Sequence, residues 1–170
     1  MRKLSLFVWF IGLSISMAAC SPKLLSPGDK IDEMELFSYC DGVNVVDICT
    51  FDELNEGTCQ VPGSPNFLWV STGWVEPTIA ELESAWKDST WKMTFDGQAV
   101  NLAEFGTYDL KVIDPDYGPV QARVWNFCIS NPTPGVHTAR YDYHFVNGSR
   151  PGNNATVWTF TVLEGGATTP

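Results

Sequence analysis

The chain has 170 residues, with 20 acidic against 10 basic side chains and a net charge of −10. That length corresponds to one domain with room for a sizeable core. So acidic a surface repels phosphate backbones and anionic headgroups, which excludes nucleic acid as a partner and leaves divalent cations and basic partners open.

In chain order, Met1-Arg2-Lys3 forms a short positive head, and an apolar run from Leu4 to Met17 follows it. The run is shorter than the roughly 20 apolar residues a permanent membrane helix needs, and its layout is that of a secretory leader. The segment Met17-Ala18-Ala19-Cys20 resembles the lipobox of bacterial lipoproteins. In that family the cysteine thiol is acylated, by palmitate among others, and the chain is cut just before it. The resemblance implies that Cys20 is the lipidation site and the first mature residue, and that the protein sits in the cell envelope on a lipid anchor. Ser21 in place of an aspartate implies the outer membrane where the host has one. An ordinary signal peptide and an uncleaved anchor are the alternatives. The expected layout is a leader over 1–19, a lipidated cysteine and tether over 20–30, a β domain over 31–164 and a frayed tail over 165–170. Losing Arg2 and Lys3 with the leader takes the charge from −10 to −12.

With Cys20 lipidated, the five cysteines leave an even four: Cys40, Cys49, Cys59 and Cys128. An exported compartment is oxidising, so two disulfides are expected. Three pairings are open, and at least one bridge is expected within residues 40 to 59. A four-thiolate zinc site suits the spacing poorly, because no Cys-x-x-Cys is present.

Beyond the leader, Asp41-Gly42 lies between two apolar runs and predicts a hairpin over 35–49. Phe67 to Trp74 predicts a buried strand. Thr78 with Glu81 forms a capping-box pattern and predicts a short helix over about 78–88, with Ile79, Leu82 and Trp86 on one face. Strands follow at Trp91–Phe95 and Gln98–Leu102 around Asp96-Gly97, then at Tyr108–Ile113, Val120–Ile129, His137–Val146 and Ala155–Leu163. Short strands at such spacing predict an antiparallel β-sandwich. Pro134-Gly135-Val136-His137 together with Trp158-Thr159-Phe160-Thr161-Val162 resembles the last two strands of an immunoglobulin-like domain. That resemblance implies a fold and no function.

No nucleophile elbow, zinc-protease helix, P-loop or dinucleotide-binding glycine motif occurs. His137 and His144 stand seven apart on one predicted strand and so face opposite ways. His137 reads as a structural histidine; His144 reads as exposed and is a candidate for ligand binding. Asp109, Asp114 and Asp116 cluster around a proline turn, where oxygen ligands suit calcium; the competing role is capping of the turn backbone. Most tryptophans fall at alternating strand positions, where core packing is the rule. Trp74, after Gly73 at a strand end, is the candidate for an exposed sugar-stacking platform. The expectation is a monomeric, non-catalytic interaction or ligand-binding module held at a membrane, with an envelope protein or polysaccharide as partner and no cofactor unless calcium. A carbohydrate module, a calcium module and a small envelope hydrolase are the alternatives.

Overall fold

The fold is that of a computed structural model describing residues 23–63, 65–114 and 118–165. The leader and Cys20 lie outside these residues. The chain is mainly β. Its strands are β1 (Lys30–Ile31), β2 (Met34–Phe37), β3 (Val43–Asn44), β4 (Cys59–Val61), β5 (Phe67–Trp69), β6 (Gly73–Glu76), β7 (Thr90–Phe95), β8 (Gln98–Val100), β9 (Thr107–Asp114), β10 (Gly118–Trp125), β11 (Cys128–Ser130), β12 (Gly135–Phe145) and β13 (Gly152–Val162). Four helices interrupt them: α1 (Val45–Ile48), α2 (Phe51–Glu56), α3 (Ile79–Lys87) and α4 (Leu102–Phe105).

The strands form three open sheets rather than one regular pair: β1-β2-β11-β5-β3, β6-β10-β9 and β4-β13-β12-β7-β8. Leu36, Leu68 and Ile129 from the first sheet and Phe95, Tyr141 and Phe160 from the last meet in one buried cluster. The long hairpin β12–β13 sets the frame of the last sheet, and alternate side chains Ala139, Tyr141 and Trp158, Phe160 point inward as the period of two requires. The Tyr141 hydroxyl donates to the Val70 carbonyl and so ties this sheet to the first. Burial raises the Tyr141 pKa, and the hydroxyl stays neutral.

Several expectations hold. Asp96 and Gly97 both take positive φ, 47° and 76°, and turn β7 into β8. That is the geometry a two-residue hairpin loop demands. Thr78 accepts from the Glu81 amide at 3.3 Å, and Glu81 reaches back to the Thr78 amide at 3.1 Å, so the capping box starts α3. Cys40 pairs with Cys128, and Cys49 with Cys59.

Others are corrected. Asp41-Gly42 joins no hairpin: β2 pairs with β1 and β11, while β3 runs parallel to β5. Asn44 caps Val46 at 3.3 Å and turns the next residues into α1. The run 67–74 divides into β5 and β6, and 120–129 into β10 and β11, because the chain changes sheet at both places. Only Leu82 and Ala85 of α3 are buried, and Ile79 is exposed. The expected tether is partly structural, since Leu25 is buried and exchanges backbone hydrogen bonds with Ala99 and Asn101.

Candidate functional site

The three-stranded sheet has two faces of different character. β9 and β10 are paired so that Tyr108 faces Val124 and Leu110 faces Ala122, while Asp109 faces Arg123. Side chains of one parity are therefore apolar, and the charged groups Asp109, Lys111 and Arg123 fall on the other, which also carries Ile113 and Trp125. On the charged face Arg123 donates to both Asp109 oxygens, at 2.6 and 2.7 Å, and to Glu83 of α3 at 2.7 Å. Its guanidinium also lies 5.7 Å from the Trp86 ring. α3 thus meets this face through one ion pair, Arg123–Glu83, and the Trp86 ring.

Among the described residues the apolar face has no ion-paired cover, though Val120 and Ala122 on it are buried. It forms one wall of a cleft of about 740 Å³ whose other walls come from β12, β13, α1 and α2. Leu110, Val112 and Val124 are only half-buried there, and Val75 and Tyr108 are exposed. On the opposite side stand Tyr143, Val157, Trp158 and, from α2, the 61 % exposed ring of Phe51, 6.0 Å from Trp158. The polar lining is neutral: Asn44, Asn55, Ser71, Thr72 and Thr156. Among the described residues, the ionisable groups lining the cleft are Tyr108 and Tyr143. Burial, with a smaller push from Asp47, raises the Tyr108 pKa and keeps its hydroxyl protonated. A side chain at Gly73 would meet the Arg123 carbonyl at 2.0 Å, so glycine is what lets β6 close against β10 at the cleft edge.

Trp74 stands at the edge of this cleft and is no free platform: its register partner is Arg123, which sets its side chain on the charged face of the sheet. Its indole N–H donates to Glu76 Oε1 at 2.8 Å, and its ring lies 4.3 Å from Phe145 and 5.9 Å from Tyr143. Behind it Trp91 stacks on Tyr143 at 4.6 Å, and Trp86 lies 5.1 Å from Trp91 and 5.4 Å from Trp125. These rings pack on each other and lock the orientation of Trp74. The indole nitrogens of Trp125 and Trp158 are sealed without a hydrogen-bond partner among the described residues.

The remaining candidates are not brought to the cleft. His144 is half-buried rather than exposed, and its Nδ1 pairs with Asn153 Oδ1 at 3.0 Å across β12–β13. His137 is buried between Asp96 and the Thr133 carbonyl, 2.8 Å from each, which is a structural clamp. Asp109 does not join a calcium cluster, because Arg123 occupies both of its oxygens and Asp114 lies five residues further along the strand. Asp116 lies outside the described residues. Among the described residues no three His, Cys, Asp or Glu side chains converge as a metal site.

The cleft itself was hidden from the sequence. The strand signals of β9 and β10 were visible, but which partner covers their apolar face depends on sheet order. Alternation in Tyr108, Leu110 and Val112 against Asp109 and Lys111 was the one available signal. Two disulfides are compatible with an extracytoplasmic protein, and no helix among the described residues is long and apolar enough to cross a membrane. No family model matches the chain, and comparison with curated proteins and with solved structures likewise gives no match.

Proposed function

We propose that this protein is a lipid-anchored, non-catalytic envelope module that binds a neutral, apolar ligand in the cleft between β6-β10-β9 and β12–β13. The observation that carries the reading is the lining: apolar walls, neutral polar groups and, among the described residues, no carboxylate, amine or imidazole. Ligand sites are commonly apolar clefts of roughly 300–1,000 Å³ with a few placed polar groups. A hydroxyl nucleophile needs an adjacent base, and among the described lining residues no carboxylate or imidazole stands beside Ser71, Thr72 or Thr156, while the Ser71 hydroxyl is held by the Phe127 backbone. The buried disulfide framework and the lipobox-like Cys20 support an exported, anchored location. The parallel pairing of β4 with β13 and the closing hairpin support a divergent immunoglobulin-like sandwich. A sugar platform needs an open aromatic face, and the rings of Trp74, Trp86 and Trp91 are engaged by one another and by Tyr143 and Phe145.

The test is titration with a neutral apolar fluorophore, N-phenyl-1-naphthylamine, on the oxidised exported chain. Binding to the folded state raises the melting temperature by mass action. The expected result is saturable binding with energy transfer from tryptophan, lost in Ala122→Phe, which fills the cleft. Equal probe binding by wild type and Ala122→Phe overturns the reading.

A further inference from the structure

A second, smaller recess of about 300 Å³ is lined by Glu76, Arg150, Ser149, Val75, Pro77 and Val120, with Trp74 as the wall it shares with the cleft. Its chemistry is opposite to that of the cleft. Glu76 is a carboxylate only 4 % exposed, and among the described residues it has no basic partner. Burying a charge without a countercharge is expensive unless hydrogen bonds or a ligand satisfy it.

One oxygen is satisfied. Oε1 accepts from the Trp74 indole at 2.8 Å, the Ser149 amide at 2.9 Å and the Ser149 hydroxyl at 3.1 Å. The turn that supplies Ser149 is built around this carboxylate. Gly148 takes φ +106°, and a side chain there would meet Glu76 Oε1 and the Ala85 Cβ, each at 2.8 Å. The other oxygen, Oε2, has no partner among the described residues and is not sealed as the orphaned indole nitrogens are. A glutamine would supply the same acceptor for all three donors, so the fold does not require the negative charge. Arg150, one residue beyond Ser149, brings a guanidinium to the same recess and forms no ion pair among the described residues.

We infer that this recess binds a small zwitterion, a free α-amino acid with a compact apolar side chain. Its ammonium pairs with Glu76 Oε2, its carboxylate with Arg150, and its side chain lies among Val75, Pro77 and Val120. A buried carboxylate anchored through one oxygen and an exposed guanidinium lining the same small recess are complementary to such a molecule, and charge-assisted hydrogen bonds supply its affinity. This goes beyond the apolar-ligand reading and does not depend on it.

The experiment is calorimetric titration of the oxidised exported chain with L-alanine, and with ethylamine and propionate as single-charge controls. The expected result is saturable L-alanine binding, with weaker binding of either control. Glu76→Gln, which keeps the hydrogen bonds to Trp74 and Ser149, abolishes the binding while the ligand-free melting curve stays in place. Arg150→Ala, at an exposed position, weakens it by at least about tenfold, the worth of one charge-assisted contact. Unaltered L-alanine binding in Glu76→Gln, equal binding of ethylamine and L-alanine, or no binding of any of the three overturns the assignment. The cleft test uses a different probe and a different variant, so either reading can fail alone.

Discussion

β12 and β9 are both amphipathic strands, yet they end in different circumstances. On β12 the inward residues Ala139, Tyr141 and Phe145 are all but sealed by neighbouring sheets. On β9 the corresponding residues Leu110 and Val112 keep part of their surface open, and the outward Ile113 is 83 % exposed. Both disulfides belong to the sealed side, since all four cysteines lie in or beside the two five-stranded sheets. The stability of the molecule thus rests in one part and its open apolar surface in another. The three-stranded sheet can change its lining without disturbing the core.

Removing cross-links is the most severe way to break this contrast. The Cys40–Cys128 bridge spans 88 residues and Cys49–Cys59 spans 10. Loop-closure entropy assigns the first about 4.5 kcal/mol and the second about 3 kcal/mol. Paired Cys→Ser variants, followed by urea unfolding, should rank in that order. Next comes a matched pair of truncations. Leu68→Ala in the sealed core should cost about 3 kcal/mol, while Leu110→Ala in the cleft should cost under about 1 kcal/mol, because its site is already partly open. Equal losses would erase the distinction between the two regions. Thr78→Ala removes the capping box of α3, the helix over the charged face, and should cost about 1 kcal/mol in thermal unfolding without altering probe binding in the cleft.

The smallest effect is one of pH. Burial alone pulls the His137 pKa down, but the Asp96 hydrogen bond, the Thr133 carbonyl and the charges of Asp96 and Asp32 outweigh it, and the net shift is upward. The folded state therefore holds this proton more tightly than the unfolded chain. Its contribution is complete below the ordinary histidine value of about 6.5 and fades as pH rises through the higher folded value. Denaturation midpoints of wild type and His137→Gln, taken across that range, should converge as pH rises.

Much of the sealed part was legible in the sequence. Alternation placed Tyr141 and Phe160 inward, Asp96-Gly97 marked its turn, and Thr78 with Glu81 marked a helix start; each signal is local. What could not be read was non-local. Asp41-Gly42 carries the hairpin pattern, but β2 finds better partners in β1 and β11, and a disulfide from Cys40 reaches across to Cys128. Phe67–Trp74 and Val120–Ile129 look like single strands because a change of sheet leaves no mark on hydrophobic periodicity. Glu76 illustrates the limit for the small recess. Its importance comes from Ser149, which lies 73 residues further along the chain.

The two disulfides close loops of very different length, 10 and 88 residues, and the shorter loop costs less entropy to close. β4 waits for its neighbour β13 until nearly the whole described chain is present, and so long-range a contact forms slowly. During that interval Cys40 has Cys128 far away and Cys49 and Cys59 close by. α1 and α2 are local, and their caps at Asn44 and Thr50 need no distant residue, so residues 45–59 can bring Cys49 to Cys59 early. Once those two thiols have joined, Cys40 has no nearby cysteine left to pair with wrongly. With Cys49 and Cys59 joined, Cys128 is the one partner left for Cys40 among the described residues.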